Sequence, residues 1–484
     1  SKYDGSLGSN DSNEGALQNN VSITYSNLDS TSNPDLIKVN ASNTNKDHRG
    51  IGIALVDKGQ ESTVNRRGGV INISTLNKGI NQTADIVTGY KGIGIYGESV
   101  DISFGGTAAK KGITVDTKNN GAAIWVMDDS NIGTESNHTN KDVINYNYKG
   151  DNNANAYAVV FGSTSDTTSY RTTANNYLDI KFNNNNNTVG LKLADENQTS
   201  TIGTYKGIAG ILVNTDKYDT VVNKGSIKED TSKTHIRTYG AVVNKGNFKN
   251  WGDITLNSSL MEQAINVTDE DLKKVNIGIL ANDSDKNNTS IEHHGDIKIG
   301  NTSGTDAEKN IGGFGIYGYR IKTGAKEDGT DSTITINRNS YGIFSGDGDV
   351  DIQGTKLLVG NDSVLGHIQH SWTDLNGVSH LYDRQSAYSS INDLLSGRQT
   401  DAAYGVYIGS NERLSKQDRD VTISANMDID RYSYGIVVAK NDGPAATRVT
   451  IGSTTFSPTI NLASNTTAGG QVKSTAPHIN SKNN

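Results

Sequence analysis

The sequence has no cysteine, only 4 prolines and 3 methionines, and few hydrophobic residues, which make up 33% of its 484 positions. A small secreted scaffold uses cysteines as disulfide cross-links, and a cytosolic protein of this length usually retains a few in its core. Neither class fits this composition. The absence of cysteine is instead compatible with an exported chain that avoids cross-linking before it folds outside the cell.

Long apolar runs and a strong charge of one sign are also absent. No hydrophobic run is long enough to span a bilayer, and the chain opens at Ser1 without a signal peptide. The formal net charge is only -8, and the lysines and arginines are scattered, so nucleic acid is not expected among the partners. We expect the chain to be a fragment from which any targeting segment has been removed.

Glycine and asparagine are abundant, with 53 glycines, and both residues tolerate the left-handed backbone region that turns require. One short pattern recurs among them, a small residue followed by β-branched and other apolar residues, as in Gly-Ile-Gly-Ile at 92–95. Most intervals between copies lie between 20 and 42 residues, and one is about double. The small residue of each copy stands at position 52, 94, 123, 158, 190, 210, 240, 278, 315, 342, 405 or 435.

A second type of segment, with strict alternation of apolar and polar residues, separates these copies. Val-Asp-Ile-Ser-Phe at 100–104 and Asp-Ile-Lys-Ile at 296–299 are examples, and turn residues such as Asn-Lys-Gly at 223–225 and 244–246 flank them. Short strands of fixed types, repeated without helices, predict an all-β solenoid, a right-handed parallel β-helix with loop insertions. The small residues would occupy tight corners or points of close backbone approach, and stacked asparagines would form amide ladders.

The repeat style resembles that of the passenger domains of type V autotransporters. The resemblance rests on the Asn-Lys-Gly-x-Ile/Phe units at 223–227 and 244–248, the Asn-Trp-Gly-Asp-Ile unit at 250–254 and the Gly-Ile-Gly-Ile/Tyr strands. The asparagine- and lysine-rich composition is similar to that of the large fusobacterial outer-membrane adhesins. The resemblance implies a cell-surface location, an extracellular passenger and an intact protein with an export signal, a longer stalk and a C-terminal translocating barrel. None of these flanking parts is in the sequence, and membrane contact is expected only through the missing barrel.

Residues 1–484 are therefore expected to form a single elongated β-helix fragment with two insertions. The larger, at 361–402, fills the doubled interval and contains a short helical pattern from Tyr388 to Leu395. Tryptophan, tyrosine and arginine anchor binding interfaces, so this insertion is the candidate adhesive site, with an inert insertion as the alternative. Its candidate ligand-binding residues are His370, Trp372, Tyr382, Arg384 and Tyr388. The smaller insertion, at 258–275, predicts a capped helical turn on the surface.

The sequence contains no complete set of residues that is typical of a catalytic site. The Gly-Asp-Ser-Gly motif of protease-type autotransporters is absent, and the histidine pair at 367 and 370 lacks the acidic residue of a zincin. Glu292, His293, His294 and Asp296 predict a surface charge cluster, and the aspartate pair at 128–129 a loop. The Asp-Gly-Asp unit at 347–349 lacks the repeated calcium nonapeptide. We expect no enzyme activity, no metal and no cofactor.

Three functions remain open. The leading one is a surface adhesin stalk or passenger segment that attaches to host-cell receptors, to glycans or to other bacteria. The second is a β-helical carbohydrate-active enzyme, a lyase or glycosidase, which would need carboxylates on adjacent rungs beside exposed aromatic residues. The third is an inert spacer with activity elsewhere in the parent protein.

Overall fold

The computed structural model describes the residues at 22–26, 37–39, 50–55, 69–74, 85–89, 91–105, 112–149, 155–163, 172–183, 208–229, 238–256, 276–281, 288–299, 313–336, 340–360, 371–373, 379–381, 403–409, 418–429, 434–438 and 446–462. About 70% of these residues belong to strands. One large sheet holds all the strands except a separate two-stranded hairpin. Each large-sheet strand pairs in parallel with its counterparts on neighbouring turns of the chain. The predicted parallel β-helix is therefore confirmed; its right-handed winding remains a prediction.

The chain visits three faces in a fixed cycle, and one circuit of the three faces is a rung. The strands of face 1 are Ser22–Ser26, Gly69–Ser74, Val100–Gly105, Asn131–Ile132, Thr173–Asn176, Thr220–Asn223, Thr289–His293 and Thr447–Ile451. Those of face 2 are Ile37–Val39, Ile86–Thr88, Gly112–Thr117, Val143–Tyr148, Asp179–Phe182, Ile227–Glu229, Ile254–Leu256, Ile297–Ile299, Ser332–Ile336 and Ile460–Leu462. Those of face 3 are Ile51–Leu55, Ile93–Glu98, Ala122–Met127, Ala156–Gly162, Ile208–Asn214, Asn276–Ala281, Tyr404–Ile408 and Tyr434–Val438.

Four longer strands bend around the corners between faces. Thr238–Asn250 and Gly313–Thr323 run from face 3 to face 1, and Arg419–Ile429 runs from face 1 to face 2. Tyr341–Val359 passes along all three faces. The turn that the sequence predicts at 244–246 is such a bend, since Gly246, with a φ of 108°, lies inside a continuous strand.

The lumen of the β-helix is filled by stacked side chains in register. On face 2 the inward residues pair from each rung to the next and are almost completely buried, because alternation turns every second side chain into the lumen. This column runs through Ile113, Ile144, Ile180, Ile227, Ile254, Ile297, Ile334, Leu357 and Met427.

Between Ile93–Glu98 and Tyr404–Ile408, face 3 is largely buried on both of its surfaces, which is why its sequences do not alternate. Its end strands, Ile51–Leu55 and Tyr434–Val438, are more exposed. Its inward residues join the lumen, while its outward residues form a second apolar cluster with two columns. One column stacks Phe314, Tyr341 and Tyr404 at centroid distances of 5.0 and 4.7 Å. The other stacks Phe344 on Tyr407 at 5.1 Å, and the columns meet edge to face.

The small residue of the repeat lies within the face 3 strands, where neighbouring backbones approach closely, and not at a corner. A Cβ atom at Gly210 would lie 2.7 Å from the carbonyl oxygen of Gly240, and one at Gly342 would lie 2.6 Å from that of Gly405. The same clash with the next rung recurs at Gly278. At these three positions an added side chain would meet the next rung, whereas alanine fits the same column at 123 and 158.

One proposed copy of the repeat has no place in face 3. The strand Ala156–Gly162 pairs directly with Ala122–Met127 on one side and with Ile208–Asn214 on the other. No rung remains between them for the copy at 190–193, which lies outside the described residues. The direct pairing leaves no intervening face 3 position for this copy. A Gly-Leu-Lys-Leu pattern alone does not decide which strand pairs with which.

The rungs on either side of each predicted insertion stack directly on each other. Tyr341 pairs with Tyr404, so the intervening residues 361–402 interrupt no ladder, and Tyr239 pairs with Ile277 in the same way across residues 258–275. Within the larger insertion, Ser371–Thr373 and Ser379–Leu381 form the antiparallel hairpin. The predicted helical turns of both insertions lie outside the described residues. A helix that the sequence reasoning missed, Glu135–Asn140, links face 1 to face 2 and is capped by Thr134 and Asn137.

We predict that Gly278→Ala destabilises the β-helix by about 1–3 kcal/mol, because the added methyl group meets the backbone of the next rung. The free energy of unfolding in urea measures this loss. Thr255→Ala, an outward change on face 2, is the matched control and is expected to shift stability by less than about 0.5 kcal/mol. Equal stability of the wild type and Gly278→Ala would refute the close-approach explanation.

Candidate functional site

Of the five binding residues proposed in the larger insertion, the structure describes only one, Trp372. His370, Tyr382, Arg384 and Tyr388 lie outside the described residues. Trp372 belongs to the antiparallel hairpin, where its backbone pairs opposite His380, and only its backbone is described. The structure does not bring the five side chains together or separate them, so this site remains a prediction.

The described residues concentrate polar chemistry at the corner between face 1 and face 2. Here the column of inward-facing side chains on face 1 changes from apolar to polar and back again along the β-helix. Ile71, Ile102 and Ile132 occupy it first, and isoleucine returns at positions 352 and 423. Between these apolar stretches stand five consecutive polar residues, which are Asn176, Asn223, Asn250, His293 and Thr323.

The asparagines of this column form a buried amide ladder. The Nδ2 of Asn176 donates to Oδ1 of Asn223 at 2.7 Å, and Asn223 donates to Asn250 at 2.6 Å. Each Nδ2 also donates to the carbonyl oxygen two residues ahead in its own turn, such as that of Gly252 for Asn250. Because these amides are fully buried, the bonds along and within the rungs satisfy donors that would otherwise destabilise the fold.

His293 continues the ladder as a neutral imidazole. Its Nδ1 lies 3.0 Å from Nδ2 of Asn250, and its side chain is fully buried. Burial, which disfavours the charged ring, lowers the pKa of His293 to about 3. His293 therefore serves the lumen and is unavailable as a surface acid or base. The signal for this role was in the sequence, as Asn-x-Gly-x-Ile at 223–227 and 250–254 aligns with His-His-Gly-Asp-Ile at 293–297.

The residues that follow the buried ladder residues point outward. Two of them, Trp251 and His294, form an external cluster with Lys249 and Glu292, which we call the clasp. The rings of Trp251 and His294 stack with centroids 3.9 Å apart, and Lys249 Nζ lies 4.8 Å from the Trp251 ring centroid. Glu292 accepts hydrogen bonds from Lys249 at 2.8 Å and from His294 Nε2 at 2.7 Å. Burial alone would raise the pKa of Glu292, but the two hydrogen bonds lower it below its usual value, so the carboxylate stays ionised.

A turn at residues 324–331 packs over this clasp. His294 Nδ1 lies 2.8 Å from the carbonyl oxygen of Ala325, so both ring nitrogens of His294 lie within hydrogen-bonding distance of an oxygen. Lys326 pairs with Asp296 at 2.7 Å. Lys224 bridges Glu327 at 3.2 Å and Glu135 at 3.4 Å, which ties the turn to the short helix.

The cluster predicted at Glu292, His293, His294 and Asp296 is thus divided by the strand into one buried and three outward groups. Asp296 accepts the backbone N–H of Thr333 at 2.8 Å as well as the Lys326 ammonium. Asp253, one rung away, accepts the N–H of Asp296 at 2.9 Å. These carboxylates hold successive rungs together, and the arrangement is that of a structural fastening.

The two aspartates of the Asp-Gly-Asp unit at 347–349 also bind backbone N–H groups. Asp347 accepts the N–H of Gly348 at 2.7 Å, and Asp349 accepts that of Asp420 on the next rung at 2.9 Å. Asp128 adopts a positive φ of 57° in the turn after a face 3 strand. Within the described ranges no group of three or more histidine and acidic side chains is arranged to hold a metal ion. No helix in the same ranges is long and apolar enough to cross a membrane.

The burial of His293 predicts a pH dependence of stability. Its folded pKa of about 3 lies below the ordinary value of 6.5, so the unfolded chain takes up a proton between these values that the folded chain excludes. Stability from this group is complete above pH 6.5 and falls by up to about 1.4 kcal/mol per pH unit as the pH drops towards 3.

His293→Asn should extend the amide ladder with a neutral residue and flatten this part of the pH profile. Urea unfolding of the wild type and the variant at pH 7 and pH 4.5 measures the difference, and shared carboxylate effects cancel in the comparison. An identical loss of stability in both proteins on acidification would contradict the assignment.

Comparison with known proteins supplies no relative. The sequence matches no protein-family model, no curated protein and no solved structure. Its fold is therefore known from its own strand pairings, and its function has to be argued from its own residues.

Proposed function

We propose that this chain is a surface-exposed adhesin stalk or passenger segment, of the type V autotransporter kind, on the outside of a bacterial outer membrane. Its task would be attachment to host-cell receptors or glycans, or to other bacteria. The observation that carries the proposal is the parallel stack of rungs from residue 22 to residue 462. A stack of this kind makes an extended scaffold whose loops present binding residues.

The hydrogen bonds that the described polar side chains make support a scaffold function rather than an enzymatic one. Glu292 and His294 hold a turn against the rungs, and His293 is buried in the lumen. Asp253, Asp296 and Asp349 accept backbone N–H groups of adjacent rungs. A glycosidase needs two carboxyl groups that flank a substrate bond, one of them free to give a proton. The described carboxylates in these clusters are instead committed to holding rungs together.

One arrangement favours the enzyme alternative and makes it testable. Asp253 and Asp296 lie on adjacent rungs beside the Trp251 and His294 rings, as a β-helical lyase or hydrolase would require. Asp253→Asn and Asp296→Asn would abolish any polysaccharide cleavage if this pair were catalytic. We expect no cleavage by the wild-type chain, measured as new reducing or unsaturated ends in a panel of polysaccharides.

The adhesive site is proposed in the larger insertion, at His370, Trp372, Tyr382, Arg384 and Tyr388. We predict that the wild-type chain binds host cells saturably and that removal of the insertion abolishes binding. The fold indicates how to remove it. Ile336 and Tyr341 are joined by the four residues 337–340, so Val359 can be joined to Tyr404 by Gly360, two linker residues and Ala403.

A matched variant keeps the insertion and changes Trp372→Ala and Arg384→Ala. Loss of attachment in both variants, with urea midpoints like that of the wild type, would place adhesion at these residues. Attachment that survives the deletion would assign it to another surface. No attachment by the wild type would favour the spacer alternative.

A further inference from the structure

The outward column of face 2 differs in its charges from the other outward columns. In register from rung to rung it carries Asn145, Lys181, Lys228, Thr255, Lys298 and Thr335. Thr114 precedes Asn145 in the same column. Seven consecutive rungs thus contribute a lysine or an uncharged polar residue to this column, and none of them contributes an acidic residue. The sequence does not display this alignment, because the three lysines lie 47 and 70 positions apart.

Like charges stacked in register oppose folding. Lys181 pairs directly with Lys228, at the rung spacing of about 4.8 Å, and Lys298 follows two rungs further on. Elsewhere, outward lysines and arginines meet carboxylates across rungs, as in Lys249–Glu292 at 2.8 Å and Arg448–Asp418 at 2.7 Å. The three lysines of face 2 make no ion pair or hydrogen bond with the part of the chain that the structure describes.

The width of the positive strip limits what can bind to it. Asp179, Asp253 and Asp296 stand two positions before the lysine column on the same face. Each accepts a backbone N–H of an adjacent rung, and Asp296 also pairs with Lys326. These anchored carboxylates confine the free cations to a strip one side chain wide. A duplex nucleic acid, which needs a broad positive surface, does not fit such a strip on a chain of net charge -8.

We propose that the column of Lys181, Lys228 and Lys298 binds a single extended chain of an acidic polysaccharide along the axis of the rod. Sulfate or uronate groups would meet the ammonium groups, and the hydroxyls of Thr255 and Thr335 and the amide of Asn145 would meet sugar hydroxyls. The length of a sugar unit in an extended polysaccharide is comparable to the spacing of rungs. The inference rests on the proposed adhesive function and names a ligand class for it, at a surface separate from the larger insertion.

The test uses the full chain, with heparin and polygalacturonate as separate probes in calorimetry. The site variant is Lys181→Thr, Lys228→Thr, Lys298→Thr; threonine already occupies this column at three of its seven rungs, so the fold should tolerate it. The matched control, Lys118→Thr, Lys217→Thr, Lys322→Thr, removes the same charge from exposed lysines elsewhere. We expect the wild type to bind one or both probes, with a slope of log K against log salt of about -2.

The site variant is expected to bind about tenfold or more weakly, and the control variant within about twofold of the wild type. Absence of binding by the wild type, or an equal loss in both variants, would overturn the proposal. Duplex DNA bound as tightly as the polysaccharides through the same lysines would also overturn the assignment of ligand class. Polysaccharide binding without any attachment to cells would instead refute the adhesive function and leave the lysine site standing.

Discussion

Parallel pairing in register is the constraint on which the rest of this structure depends. Each strand hydrogen-bonds to its counterparts on the rungs before and after it, so every residue position becomes a column of side chains about 4.8 Å apart. What occupies a column is therefore a property of several rungs together. An isoleucine column packs, an asparagine column makes an amide ladder, and a glycine column lets the backbones approach.

The same constraint explains how a chain with 33% hydrophobic residues can have a continuous core. Alternation on faces 1 and 2 uses half of the strand residues for the lumen, and stacking joins those halves from rung to rung. Face 3 adds a second apolar layer on its outer surface, with rings stacked from Phe314 to Tyr434. Stability is thus divided among many local interfaces between neighbouring rungs, as in other solenoids.

Charged residues follow the columns as well, and this governs what the surface can do. Where opposite charges meet, as at Glu292 with Lys249 and His294, they fasten loops and adjacent rungs. Where like charges meet, as at Lys181 and Lys228, the column is left with unneutralised charge that an external polyanion can neutralise. In our proposal, register therefore decides whether a charged column stabilises the rungs or binds a ligand, and it brings residues far apart in sequence into one column.

The sequence by itself determined the architecture, because its signals are local: alternation in the face 1 and face 2 strands, small residues at intervals, and Asn-x-Gly turns. It also indicated the asparagine ladder, since stacked amides follow from repeated asparagines at one position of a turn. Tertiary structure alone decided which strands are neighbours. It excluded the copy at 190–193 from face 3, turned His293 into the lumen and His294 outward, and aligned lysines 47 and 70 positions apart. Loops of unequal length separate the rungs, so register along the rod cannot be read from spacing in the chain.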